Sequence, residues 1–271
     1  MEGRDINDKF VQLASAGYAV TGSFGIGIRG ELQIGFDIKS KMFVIKVKAK
    51  ATLGLGAGGA MEFAVSSENV WWFIRFVHAQ LNDHNFSFLL FFEWDAYSRF
   101  CAWSWELLKQ GRLLDASLTR FGAEGMLALG KIKDLLDLWD KYNSTEDEAD
   151  ELAELVNTGT LLLGYLNPEV KGRLLDKLCH SSWNPLDNDD NKEMAILRVL
   201  NTIASQREFQ EIKEHMGAPI HESDKAKRDK IKQGNIFLAE NKLNAILNHQ
   251  YKTDYENWQK SLPDVAPRLV T

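Results

Sequence analysis

Apolar positions along this chain follow two different periods, and the change falls near Glu68. Between residues 22 and 65 they alternate with polar residues or glycine. Phe24, Ile26 and Ile28 alternate with Gly25, Gly27 and Arg29, and Leu32, Ile34, Phe36 and Ile38 with Glu31, Gln33, Gly35 and Asp37. After Lys39-Ser40-Lys41, Phe43, Ile45, Val47 and Ala49 alternate with Lys46, Lys48 and Lys50, and Met61, Phe63 and Val65 with Ala60, Glu62 and Ala64. A period of two with one polar side predicts an antiparallel sheet of three or four strands, one face packed and the other in water. Leu32, Ile34, Ile45, Val47, Phe63 and Val65 form its predicted buried set. The many glycines leave room for close approach of a backbone or a ligand.

From residue 67 onward the period is helical. Residues 7–16 make a short lead-in, and helices are predicted over 67–81, 86–109 and 118–142, with Asn82-Asp83-His84-Asn85 as the first break. Thr145 and Glu148 form a capping box for the next helix. Pro168 and the Asn184-Pro185 loop separate further helices. Residues 192–216, with Met194, Ile196, Leu197, Leu200 and Ile203 on one face, predict an amphipathic helix. A last helix runs through Ile236, Leu238, Leu243, Ile246 and Leu247, and Pro263 and Pro267 mark an irregular tail. The expected fold is α+β and predominantly helical, with a small N-terminal Gly-rich antiparallel sheet packed on a multi-helix body. One compact domain is expected over 1–271, comprising a β-meander at 22–66, a helical body at 67–262 and an irregular tail at 263–271.

Composition narrows the function classes. The chain has 271 residues, 45% hydrophobic and 26% charged, and a formal net charge of −6. That balance disfavours nucleic acid and gives no general pull toward anionic membranes, while leaving room for local basic patches. Cys101 and Cys179 lie outside any CxxC and among apolar residues at helical spacing, so buried free thiols are expected. No apolar run reaches the roughly 20 residues that span a bilayer. Met1-Glu2-Gly3-Arg4-Asp5 has no basic region followed by an apolar stretch, so no secretory signal is expected.

Several motifs fail their own chemistry. Gly54-Leu55-Gly56-Ala57-Gly58-Gly59 fits GxGxxG, but a dinucleotide site needs a buried parallel strand before it and a helix after it. Here alternation continues on both sides, and a Gly-rich hairpin is expected. Asp187-Asn188-Asp189-Asp190-Asn191 begins like a calcium loop but has Lys192 and Arg198 where glycine and glutamate belong, so a polar loop capping a helix is expected. Glu214, His215, His221, Glu222 and Asp224 cluster without HExxH spacing, and Gly217 and Pro219 interrupt them. A solvated loop with Ser223 as N-cap is expected there. Cys179-His180-Ser181-Ser182 reads as a helix end. No metal or cofactor is implied.

Two carboxylates stand out. Glu93 has Leu89, Leu90, Ala96 and Tyr97 at helical spacing, so it must be desolvated, paired or facing a cavity. Desolvation would raise its pKa toward that of a general acid, and an ion pair with Arg75 or Arg99 is the structural alternative. Glu62 is flanked on its own face by Ala60 and Ala64 and would open onto a groove unless it pairs with Lys46, Lys48 or Lys50. Asp95, Glu31 and Asp37 are possible second carboxylates. Pairing Glu93 with Glu62 would require the sheet to lie over the aromatic helix. The rings from Trp71 to Trp105 are expected mainly in the core, with sugar stacking or membrane insertion as further roles.

One block of the chain has a familiar pattern. The Gly-rich meander, then KAKATLGLGAGGAMEFAV, ENVWWFIRFV and FFEWDAYSRF, resembles the C-terminal regions of type VI secretion effectors over residues 22–110, about a third of the chain. The TseP-like effectors, which join an N-terminal amidase to a C-terminal lysozyme domain, are the nearest in pattern. The resemblance implies a lysozyme-like muramidase that cuts peptidoglycan glycan strands with a catalytic glutamate. It also implies delivery by the type VI secretion apparatus, action in the periplasm of a target cell, and an immunity protein and a secretion carrier as partners. Glu62 is the first candidate for the catalytic acid, Glu93 the second, and Asp95 a supporting carboxylate. A colicin-like membrane-disrupting domain and a non-catalytic docking domain remain the alternatives.

Overall fold

Three strands form where the alternation is strictest: β1 (Glu31–Asp37), β2 (Met42–Lys48) and β3 (Ala60–Ala64). The structure, a computed structural model, describes residues 31–37, 39, 42–48, 60–65, 70–86, 94–109, 146–158, 163–180, 190–218, 220, 225–247 and 251–265. The strands are antiparallel in the order β1-β2-β3, with Ile34 opposite Ile45, Phe36 opposite Phe43, and Ile45 opposite Phe63. This register puts the predicted apolar set on one face, and Ile34, Phe43, Ile45 and Val65 are buried. The side chains of Leu32, Val47 and Phe63 lie outside the described residues. The other face is not simply wet, because Gly35 and Val44 are buried where they pair across it. The β1–β2 turn is tightened by the Lys39 amide, which donates to Asp37 Oδ1 at 3.0 Å.

The apolar face lies over the aromatic helices α1 (Val70–Asp83) and α2 (Trp94–Lys109). Phe43 is the junction, its ring centroid 5.1 Å from Phe73, 5.6 Å from Trp103 and 6.1 Å from Phe100. Tilted and edge-on aromatic pairs of this kind contribute about 0.5–1.5 kcal/mol each beyond their area. The aromatic run is thus core wherever it is described. The helix expected over 86–109 is described only from Trp94. Phe86 instead belongs to the turn that ends α1, where its amide donates to the Leu81 carbonyl at 2.7 Å. Asn85 and Phe86 both have positive φ, 52° and 56°. A phenylalanine resists that conformation, and burial of its ring beside His78 opposes the cost.

The remaining elements are α3 (Glu146–Asn157), a single 3-10 turn (Leu163–Tyr165), α4 (Pro168–Leu178), α5 (Asp190–Leu200), α6 (Gln206–Glu214), α7 (Lys225–Ile246) and α8 (Lys252–Ser261). Two differ from expectation. Residues 192–216 are two helices rather than one. The break is a Ser-x-x-Glu signal inside the amphipathic run: Ser205 Oγ accepts from the Glu208 amide at 3.1 Å, and Glu208 Oε2 accepts from the Ala204 amide at 2.6 Å. Such side-chain bonds compete with helix continuation and start a new one. Met194, expected on the buried stripe, is 39% exposed. The second difference is α8, a helix beyond the one expected to be last; Tyr255 anchors it in the core. Past it, the Pro263 carbonyl accepts from the Gln206 amide at 2.8 Å, satisfying a first-turn donor of α6. The expected segments 7–16, 24–28 and 118–142, the capping residue Thr145 and the tail beyond 265 lie outside the described residues.

Helix α4 is the hub. It packs on α2, α3, α5 and α6, and it is buried on nearly every side, including Lys171, Asp176 and Lys177. Each buried charge has a partner on a different helix. Lys171 Nζ bonds Glu208 Oε1 of α6 at 2.6 Å with both side chains 0% exposed, Lys177 bonds Glu148 of α3 at 2.6 Å, and Asp176 accepts from Lys242 of α7 at 2.5 Å. Lys171 also donates to the Thr202 carbonyl at 3.2 Å.

Gly172 brings α4 and α6 together. A Cβ there would sit 2.5 Å from the Ile212 carbonyl oxygen and 2.8 Å from His215 Cβ. The obstacle is largely backbone, so Gly172→Ala is expected to lower stability by about 1–3 kcal/mol, the usual cost of overpacking, read as a fall in the urea midpoint. Lys171→Met leaves Glu208 buried without its cation and is expected to cost about 3–5 kcal/mol in the same measurement.

Candidate functional site

Of the three residues singled out by the sequence, Glu62 and Asp95 are described by their backbone alone, and Glu93 lies outside the described residues. Glu62 stands in β3 opposite Lys46 and next but one to Lys48 in register, on the sheet face away from Phe43 and Ile45. Directly opposed residues have Cβ atoms about 4.5–5.5 Å apart, close enough for the cross-strand alternative. The Glu62 side chain, Glu93 and the Asp95 side chain lie outside the described residues, although Asp95 is the second residue of α2. The sheet does lie over the aromatic helix, but through its other face. Asp37 is exposed at the end of β1, and Arg99 lies over the Phe36 ring at 5.0 Å.

A different set of polar groups converges where α2, α4 and α6 meet. Pro168 occupies the first turn of α4, where its missing N–H costs nothing. Asn167, the residue before it, is the N-cap, yet its side chain does not cap the helix. Instead its amide nitrogen reaches Tyr97 Oη at 3.1 Å, Cys101 Sγ at 3.0 Å and Glu169 Oε2 at 3.0 Å. Tyr97 Oη donates to the same Glu169 oxygen at 2.5 Å. Glu169 Oε2 is therefore held by two buried donors, fixing the plane of the carboxylate. Its second oxygen, Oε1, faces His215 Nε2 at 3.6 Å, an electrostatic contact rather than a hydrogen bond. The Asn167 side-chain oxygen is buried with no hydrogen-bond partner in the structure.

Helix α6 supplies the facing groups. Glu208, Glu211 and His215 follow one another at helical spacing, and the two outer members already contact α4, through Lys171 and through Glu169. Glu211 lies on that stripe between them and pairs with Arg207 one turn back. Glu214, the last residue of α6, bonds Lys232 of α7 at 2.5 Å. Burial raises the Glu211 carboxyl to about 7, helped by the Glu214 and Glu169 carboxylates and opposed by Arg207 and Lys232. Burial also lowers the His215 imidazole below its ordinary value, against the pull of Glu169. The cluster thus joins a carboxyl whose pKa burial raises, an imidazole whose pKa burial lowers, and a carboxyl group clamped by two donors. Glu169 is 21% and Glu211 13% exposed, so both remain within reach of solvent.

Of this cluster only His215 and Glu214 were visible as candidates, at the end of the helical pattern expected over 192–216; Glu214 is the last residue of α6 and His215 its C-cap. His221, Glu222, Ser223 and Asp224 lie outside the described residues, as do the Gly54–Gly59 hairpin and residues 187–189. Among the described residues no group of three His, Cys, Asp or Glu side chains could hold a metal ion, and no helix is long and apolar enough to cross a membrane. Cys179 caps the end of α4, the helix end expected there, and both cysteines are buried free thiols. The chain matches no protein-family model, no curated protein and no solved structure.

The Glu211 shift gives a stability prediction. Its native value of about 7 lies above the ordinary 4.5, so the folded protein holds a proton that the unfolded chain releases between those values. That contribution is complete below pH 4.5 and is lost as pH rises through 7. Glu211→Gln is therefore expected to gain stability relative to the parent between about pH 5 and about pH 8, measured by urea denaturation. His78 works in the opposite sense, since burial first, then Lys171, lowers it from 6.5 to about 3. Its contribution falls away as pH drops from 6.5 toward 3, which the parent and the Glu211 variant share.

Proposed function

We propose that this chain is a glycan-strand hydrolase, the lysozyme-like toxin domain of an antibacterial type VI secretion effector acting on peptidoglycan in the periplasm of a target cell. The observation that carries the reading is the pairing of two carboxyl groups of unlike environment on facing helices. Glu211 is part-buried among like charges, and the Glu169 carboxylate is clamped by Tyr97 and Asn167. Glycoside hydrolysis needs that division of labour. Glu211 in its protonated form donates to the glycosidic oxygen. Glu169, through Oε1, attacks the sugar carbon or orients the water that does. The sequence pattern over 22–110 supports the same class, with an immunity protein and a secretion carrier as the implied partners.

Digestion of purified peptidoglycan, with mass analysis of the soluble products, tests this. Glu211→Gln should lose about 10²–10⁴-fold in rate, the usual worth of a general acid, while the circular dichroism spectrum is kept. Glu169→Gln should lose activity to a comparable extent. Full activity in Glu211→Gln together with its loss in Glu62→Gln or Glu93→Gln would move the acid to the sheet or the aromatic segment. Intact glycan alongside dye release from lipid vesicles would replace the hydrolase reading with the membrane-disrupting one.

A further inference from the structure

Helix α7 is apolar on two sides. On one, Asn235, Ala239, Leu243 and Ile246 are buried where the helix packs on α6, and Lys242 and Glu240 tie it to Asp176 of α4 and Lys213 of α6. The opposite side presents Phe237 and Leu238, 66% and 46% exposed. Among the described residues Phe237 is the most exposed large apolar side chain. It belongs to a stripe of exposed positions, Lys230, Gly234, Phe237, Asn241 and Asn244, separated by four, three, four and three residues. Steps that alternate between three and four form the seam along which two helices pack. Gly234 leaves a notch in it, since a Cβ built there would have no atom within 4 Å. The ends of the helix add a second observation. Its first turn holds Lys225, Lys227 and Arg228 with no acid, and its last turn holds no base. The helix dipole favours the reverse at both ends, so α7 is charged against its own dipole.

From the seam and the reversed charge together we infer that the outer face of α7 is a self-association surface. A second copy of this chain docks its own α7 there, antiparallel, about a two-fold axis between Phe237 and Leu238. In that register Phe237 of each copy meets Leu238 of the other, and Asn241 stands opposite the notch at Gly234. Lys230 stands opposite Ala245, beside the last turn of the other helix, where the dipole end is negative. The two Lys230 positions are then about 22 Å apart along the axis, at 1.5 Å per residue, well beyond the screening length of about 8 Å at 0.15 M salt. A parallel pair would set Lys230 against Lys230 and leave both dipoles opposed by their own charges. A two-fold contact needs a single surface complementary to itself, and this one carries both knob and notch, both cation and negative helix end. An asparagine on the seam penalises other registers. The seam is short and part polar, so the dimer is reversible, of the class that buries less than about 1,200 Å². The inference is independent of the hydrolase reading.

Sedimentation equilibrium of the full chain, from about 1 µM to about 300 µM, tests this. The expected result is a monomer–dimer equilibrium with a midpoint of about 10–100 µM, the weak range that suits a small contact. Phe237→Ser with Leu238→Ser should leave a monomer throughout, with the circular dichroism spectrum and urea midpoint kept because both side chains are already exposed. Gly234→Leu separates association from folding. The open space at that position and the higher helix propensity of leucine should keep or raise the urea midpoint, while filling the notch weakens the dimer at least about tenfold. Orientation is read by oxidative cross-linking, which the two buried native thiols do not disturb. Lys230→Cys mixed with Ala245→Cys should cross-link, and Lys230→Cys alone should not. A parent chain that stays monomeric over the whole range would overturn the surface. So would a dimer that survives Phe237→Ser with Leu238→Ser, or self-linking of Lys230→Cys. A monomer that instead binds vesicles of phosphatidylcholine and phosphatidylglycerol through Phe237 and Leu238 would overturn it in favour of a membrane face.

Discussion

A charge without water is the constraint on which this fold turns. Lys171 and Glu208 are both fully enclosed, and neither could stay there alone. Removing two ions from water costs several kcal/mol each even after relaxation, and a buried pair repays this only when its other hydrogen-bonding positions are also met. Here they are. Lys171 has the Thr202 carbonyl as a second acceptor, and Glu208 takes the Ala204 amide on its other oxygen. The consequence is specificity of placement. An apolar contact between α4 and α6 would tolerate sliding by a turn, whereas this pair, the buried Ser205 cap and the Gly172 crossing agree on one register.

That register sets the position of the polar cluster. Across the same α4–α6 contact Glu169 meets His215, and Glu211 lies one turn before His215 on α6, so the pair that locks the helices also fixes where these carboxyl groups stand. From the third side, α2 contributes Cys101 and Tyr97, whose ring stacks on Phe100 of the aromatic core. The sheet acts at one remove. By seating Phe43 among Phe73, Phe100 and Trp103, it fixes the helix from which Tyr97 reaches Glu169.

The sheet and the aromatic core were legible because period-two alternation and ring density are local signals. The register followed, since a one-residue slip would have turned Ile34 and Ile45 to the wrong side. The hub was not legible. Nothing in the local sequence marks Lys171, Asp176 and Lys177 for burial, and only the arrival of Glu208, Lys242 and Glu148 from three other helices makes it possible. The break at Ser205 could have been found, because Ser205-Gln206-Arg207-Glu208 carries the capping signal, but the apolar run across it spoke for one helix. The carboxylate pair was hidden for the same reason. Glu211 and His215 share a face with Glu208 only once α6 is allowed its own start, and the role of Asn167 depends on a tyrosine 70 positions earlier in the chain.

The burial of the two thiols has a chemical consequence. Cys101 lies beside Asn167 and Tyr97 beneath the cluster, Cys179 at the end of α4, and loss of solvation holds both protonated well above the ordinary thiol range. Disulfide exchange and oxidation proceed through the thiolate. A chain whose only two cysteines are enclosed and uncharged presents no nucleophilic sulfur to glutathione or to a disulfide catalyst. Reaction at either sulfur must therefore wait for the fold to open around it.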